Sequence, residues 1–159
     1  MSEKVIGIGE WAISDNPEDK ITTYALGSCV ALIVYAKKYK IGAMAHIALP
    51  SSHIDPARSD NQPAYFADRA VKLILDAFTS RNIPPKELEV KLVGGAQMLD
   101  PNGIFDIGRR NVLEIKKLLW QNMLAPRAED VGGSFSRTVS LFIDDGKTII
   151  SSQNKKYEL

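Results

Sequence analysis

The sequence predicts a mixed α/β fold, and three observations carry that expectation. Short apolar runs punctuated by Gly9, Asn16-Pro17 and Gly27 crowd the first third of the chain. Two longer segments with helical spacing of apolar residues follow, one on either side of a short apolar run. The last third returns to strand-like runs grouped around an Asp-Gly turn.

In chain order, Val5 to Ile8, Trp11 to Ser14, Ile21 to Leu26, Val30 to Tyr35 and Ile41 to Leu49 read as strands. The turn-like Lys37-Lys38-Tyr39-Lys40 pairs the fourth and fifth as a hairpin. Pro50 to Pro63 is rich in Ser, Asp and Pro and reads as a polar loop. From Ala64 to Phe78, Phe66, Ala70, Leu73, Ile74, Ala77 and Phe78 fall on one helical face, so this helix should lie against a sheet. Glu89 to Val93 reads as a buried strand ending at Gly94-Gly95. A second helix, Gly108 to Met123, directs Val112, Ile115, Leu118 and Leu119 inward and is closed off by Pro126. Ala128 to Val131, Thr138 to Ile143 and Thr148 to Ser152 complete the strands. The last two are joined through Asp144-Asp145-Gly146-Lys147, a hairpin signal.

At 159 residues the chain is long enough for one well-buried domain, and no linker divides it, so a single domain over 1–159 is expected. Its 20 basic residues nearly balance 19 acidic ones, which argues against a nucleic-acid partner. Met1-Ser2-Glu3-Lys4 lacks the apolar stretch of a secretion signal, and no run approaches the ~18 apolar residues of a membrane span. A cytoplasmic protein without membrane insertion is therefore expected. One cysteine and two histidines do not make the usual cysteine-rich zinc site, so neither a metal nor another cofactor is expected.

That single cysteine, Cys29, follows Gly27 and Ser28 at the head of a strand, with His46 seventeen residues downstream on the paired strand. A neighbouring imidazole can take a thiol proton and later protonate a leaving group, which makes Cys29 and His46 a candidate nucleophile and base. The alternative is a small buried hydrophobe beside a core histidine satisfied by a backbone carbonyl. His53, the other histidine, lies in the polar loop, where a solvated side chain is the ordinary case. A histidine base also needs its far nitrogen held by an acceptor, and Thr22 and Thr23 are both available. The Cys29 amide, supported by Gly27 and Ser28, is placed to donate to a developing oxyanion, which points to a carbonyl substrate. Gly94-Gly95, Gly108-Arg109-Arg110-Asn111 and Asp130-Val131-Gly132-Gly133 with Arg137 form no nucleotide fingerprint and read first as tight turns and helix caps.

Taken together, several segments resemble the CheD family, the chemoreceptor glutamine deamidases of bacterial and archaeal chemotaxis. They are Ile6-Gly7-Ile8-Gly9-Glu10, Thr23-Tyr24-Ala25-Leu26-Gly27-Ser28-Cys29-Val30, and Ile41-Gly42-Ala43-Met44-Ala45-His46 with Leu49-Pro50. Tyr65 to Asp68, Gly94-Gly95-Ala96, Ile107-Gly108-Arg109-Arg110-Asn111 and Glu129 to Gly133 through Arg137 continue the match. The departure is Ala25, where the family often carries glycine.

The resemblance implies a Cys-His-Thr triad on Cys29, His46 and Thr23. It implies that Cys29 attacks a receptor glutamine carboxamide, that His46 protonates the departing ammonia, and that water hydrolyses the thioester to leave glutamate. The partners implied are chemoreceptor cytoplasmic helices and a CheC-type phosphatase. The family also resembles the catalytic domain of cytotoxic necrotizing factor toxins, which implies packed mixed β-sheets flanked by two main helices. Two other functions fit the same residues: a non-catalytic adaptor with a structural cysteine, and a glutamyl methylesterase using the same nucleophile.

Overall fold

A computed structural model describes residues 1–98 and 105–159. Among these described residues, ten strands form two five-stranded sheets, and three α-helices accompany them. The first sheet runs in the order β1 (Ser2–Val5), β3 (Asp19–Leu26), β8 (Arg137–Phe142), β9 (Thr148–Ser152) and β10 (Lys155–Glu158). The second runs β2 (Trp11–Ser14), β5 (Ile41–Ile47), β4 (Val30–Ala36), β6 (Glu89–Gly94) and β7 (Pro126–Val131). Each contains one parallel pair, β1 with β3 and β6 with β7, so both sheets are mixed.

β4 explains the layering. Every residue of Val-Ala-Leu-Ile-Val-Tyr-Ala is buried, the signature of a strand covered on both faces. Val30, Leu32, Val34 and Ala36 point to a core shared with α2 (Ala67–Thr79) and α3 (Ile107–Gln121). Ala31, Ile33 and Tyr35 point the other way, into a core shared with Ile21, Val139, Leu141 and Ile150 of the first sheet. The order of layers is therefore helices, second sheet, first sheet. Both main helices cover the same outer face rather than flanking the sheets on either side. The Tyr35 hydroxyl donates to the Ile143 carbonyl at 2.7 Å, tying the sheets together.

α2 buries Ala67, Ala70, Val71, Ile74 and Phe78, and α3 buries Val112, Ile115 and Leu119, so helical spacing of apolar residues sets both faces. Three expectations change. Val5 to Ile8 is not a strand: β1 ends at Val5, and the chain turns through Gly7 to Gly9, with Gly9 at φ 78°. Pro50 to Pro63 is not an irregular loop, because α1 (Pro56–Asn61) forms there behind an Asp55 cap with Pro56 at its first position. Asp68 accepts from both the backbone and the hydroxyl of Ser52, pinning the segment to α2. β10, a short and fully exposed edge strand, has no apolar alternation to announce it. Among the described residues no helix is long and apolar enough to cross a membrane.

Candidate active site

Cys29 sits at the end of the hairpin, one residue before β4 begins. Its loop is held by its own carbonyls: Gly95 donates to Cys29 O at 2.8 Å and Ala96 to Gly27 O at 2.8 Å. Two donors from the Asn111 amide Nδ2 complete the grip, reaching Ser28 O and Ala48 O at 3.0 Å each. Gly94, at φ 115°, allows this close approach, since a Cβ there would lie 2.3 Å from Cys29 O. The Gly94 turn is itself braced by buried Arg137. Its Nη1 donates to Gly132 O at 2.8 Å and Gly94 O at 3.3 Å, and its Nη2 pairs with Asp130 at 3.3 Å.

His46 pairs with Ala31 across the β4–β5 ladder, two residues beyond Cys29 on the same face. Diagonal positions of this kind lie roughly 7–8 Å apart at the backbone, within reach of an imidazole. The side chain enters the space between the sheets, where only 3% of the residue is exposed. There Thr23, from β3 of the opposite sheet, meets His46 Nδ1 with its Oγ1 at 2.6 Å. The same hydroxyl donates to Ile6 O at 2.7 Å. Its single proton is thereby committed, so Oγ1 accepts from Nδ1–H and the lone pair of His46 is left on Nε2.

A register shift between Thr23 and Leu26 marks a β-bulge just past this contact, with Ala25 at φ 55°. The position that departs from the family's usual glycine thus has left-handed backbone. Thr22 points to the other face, where it donates to Glu3 at 3.0 Å and meets Ser140 at 2.7 Å. His53 is exposed on a 3-10 turn, Ser52–Ile54, and takes no part in this cluster.

Burial governs the protonation of the pair. It pushes the Cys29 thiol up to about 11 and lowers His46 to about 4, with the Glu10 carboxylate pulling His46 weakly back. At neutral pH both groups are therefore uncharged. A cavity of about 530 Å³ opens over Cys29, bordered by Ser28, Ala25 and the exposed apolar side chains of Ile8, Met98 and Phe105. His46 does not line it.

Sequence reasoning placed Cys29, His46 and Thr23, and the fold brings Thr23 and His46 into contact from two different sheets. It missed the Ile6 carbonyl and the amide of Asn111. The second left a signal: a polar residue at helical spacing between Gly108 and Ile115 on the buried face of α3.

The fold thus sets a thiol at a strand head one strand away from an imidazole whose Nδ1 is held by a threonine hydroxyl. The family described as CheD chemotactic sensory transduction matches residues 48–152, and the chain belongs to it. It is 43% identical to a probable chemoreceptor glutamine deamidase CheD of Syntrophotalea carbinolica, over 95% of this chain and 94% of that protein. A probable chemoreceptor glutamine deamidase CheD of Solibacter usitatus is 39% identical over 100% of this chain and 94% of its own length. The chemoreceptor glutamine deamidase CheD of Thermotoga maritima is 40% identical over 93% of this chain and 90% of its own. The family match begins beyond His46, whereas these whole-length similarities span the segment with Thr23, Cys29 and His46.

Proposed function

We propose that this protein is a chemoreceptor glutamine deamidase, converting receptor glutamine side chains to glutamate with release of ammonia. The Thr23–His46 contact, on the strand next to that of Cys29, is the observation that supports the mechanism, and the names of the whole-length relatives supply the substrate. His46 Nε2 takes the Cys29 proton as Sγ attacks the carboxamide carbon. Because both groups rest uncharged, the thiolate is made during attack rather than stored as an ion pair. The backbone amide of Cys29, in the loop supported by Gly27 and Ser28, donates to the oxyanion. Collapse breaks the C–N bond, and His46 returns its proton to the leaving ammonia. Water, deprotonated by His46, then cleaves the thioester to give glutamate and restore the thiol.

The exposed apolar rim of Ile8, Met98 and Phe105 suits a receptor helix presenting its glutamine to the cavity. Receptor cytoplasmic helices as substrate place the protein in the cytoplasm. On family grounds a CheC-type phosphatase is the further partner, 1–159 acts as one domain, and its fold is of the toxin catalytic domain's kind, a reading that the two packed mixed sheets support.

Incubating receptor cytoplasmic fragments with the protein tests this reading by mass, since each conversion of amide to acid adds roughly one dalton through hydrolysis of the acyl intermediate. Cys29→Ala should keep the fold and abolish the gain. An unmodified receptor with the wild type, or undiminished ammonia release by Cys29→Ala, would overturn it.

A further inference from the structure

We infer that Asn111 is a positioning residue that sets the distance between Cys29 and His46; this deepens the reading of those two side chains as the reacting pair. The β4–β5 ladder runs from Ala36↔Ile41 to Val30↔Ile47 and stops there. Cys29 lies one step past the last rung. The strand pairing that fixes His46 therefore no longer fixes the loop that carries the sulfur.

Asn111 spans that gap from a third element. It is fully buried on α3, and its Nδ2 gives one hydrogen bond to Ser28 O, the residue before Cys29, and one to Ala48 O, just past the end of β5. The two strand ends are thus tied through one amide where their own ladder has ended. The helix is seated to do this by Gly108, one turn earlier. A Cβ there would lie 2.5 Å from the carbonyls of Gly95 and Ala96, the turn whose amides hold Cys29 O and Gly27 O. Gly108 lets α3 press against that turn, and one turn later Asn111 arrives at Ser28 and Ala48.

Apolar packing gives no account of this side chain. Among the described residues its Oδ1 is buried with no hydrogen-bond partner, an arrangement that costs stability. A leucine has nearly the same shape and no buried Oδ1, but it would leave the Ser28 and Ala48 carbonyls without these donors. What leucine lacks is the pair of N–H donors, and those bear on the separation of the two strand ends.

The test is a double-mutant cycle read by alkylation of Cys29 with iodoacetamide near neutral pH, in wild type, Asn111→Leu, His46→Ala and the double variant. Asn111→Leu should slow alkylation about tenfold, since base assistance of this kind is worth at least that much. The double variant should be no slower than His46→Ala, because the Asn111 contribution acts through His46. In the receptor assay kcat should fall with KM within about twofold, the pattern of lost transition-state geometry rather than lost binding. Asn111→Ala, which adds no bulk, repeats the cycle should the leucine shape not fit. Alkylation at the wild-type rate, or equal slowing in the presence and absence of His46, overturns the inference. The alkylation cycle decides the role of Asn111 whether or not receptor turnover is detected, so it fails separately from the proposed activity.

Discussion

The two faces of the second sheet are built from the same strands and obey different rules. On the helix side, Val30, Leu32 and Val34 meet Ile74, Phe78, Ile115 and Leu119 in an apolar core, with buried Asn111 of α3 at the hairpin end. On the inter-sheet side, Ala31, Ile33 and Met44 pack among apolar residues of the first sheet, but His46 and Thr23 are buried in the same layer. Apolar packing is non-directional and tolerates rearrangement at a cost in stability. A buried imidazole is directional, and one missing partner changes which nitrogen holds the proton. The helix side sustains the fold and lends Asn111 to the hairpin end, whereas the inter-sheet side orients the imidazole.

Substitutions on the two faces should separate accordingly. His46→Ala should lower turnover by ~10²–10⁴-fold while His53→Ala stays close to wild type, because only the first histidine is backed by Thr23. Equal losses in ammonia release would erase the distinction between them. On the opposite face, Phe78→Ala should reduce unfolding free energy by about 3–5 kcal/mol yet leave turnover per folded molecule within about twofold. Denaturant melts combined with active-site titration measure both quantities.

Acid should reveal the cost of burying an imidazole. The folded protein holds His46 near 4 against an ordinary 6.5, so above 6.5 both states carry it neutral, whereas below that the unfolded chain binds a proton that the folded one refuses. Stability falls as pH drops through that window. Against His46→Gln, the wild type should lose about 2 kcal/mol more between about pH 7 and about pH 4.5. Parallel pH profiles for the two would mean that His46 is not held neutral.

Thr23→Val keeps the β-branched shape and deletes the hydroxyl, so kcat should drop about tenfold with little change in receptor affinity. Thr22→Val should be milder, since its hydroxyl serves Glu3 and Ser140 on the outer face. The reverse order would move the orienting role to Thr22. The smallest effect belongs to Ala25. Ala25→Gly relieves a left-handed backbone but adds unfolded-state entropy, so a net gain of about 0.5 kcal/mol in a thermal melt is expected, with activity retained.

The elements that periodicity announces clearly were legible. β2 and β9 have the boundaries read from sequence, and the Lys37–Lys40 and Asp144–Lys147 turns close the expected hairpins. Elements fixed by caps or by pairing alone were not. α1 rests on the Asp55-Pro56 start and the hold of Asp68 on Ser52, and β10 exists because β9 offers it an edge. At the site, Cys29 and His46 were visible because one hairpin carries both. Choosing Thr23 over Thr22 on residues alone needed the face of β3, which the resemblance supplied and spacing did not.

By itself, the sequence determined the local alternation of strands and helices, the buried character of β4, and the placement of one thiol and one imidazole on neighbouring strands. Those are properties of neighbours along the chain, set by side-chain period and turn chemistry. Only the tertiary structure decided that two sheets face each other, that Thr23 crosses between them to hold His46 Nδ1, and that α3 delivers Asn111 to the end of the hairpin. Such contacts join residues 23 to 83 positions apart, and no local pattern encodes them, because they follow from which apolar faces bury one another.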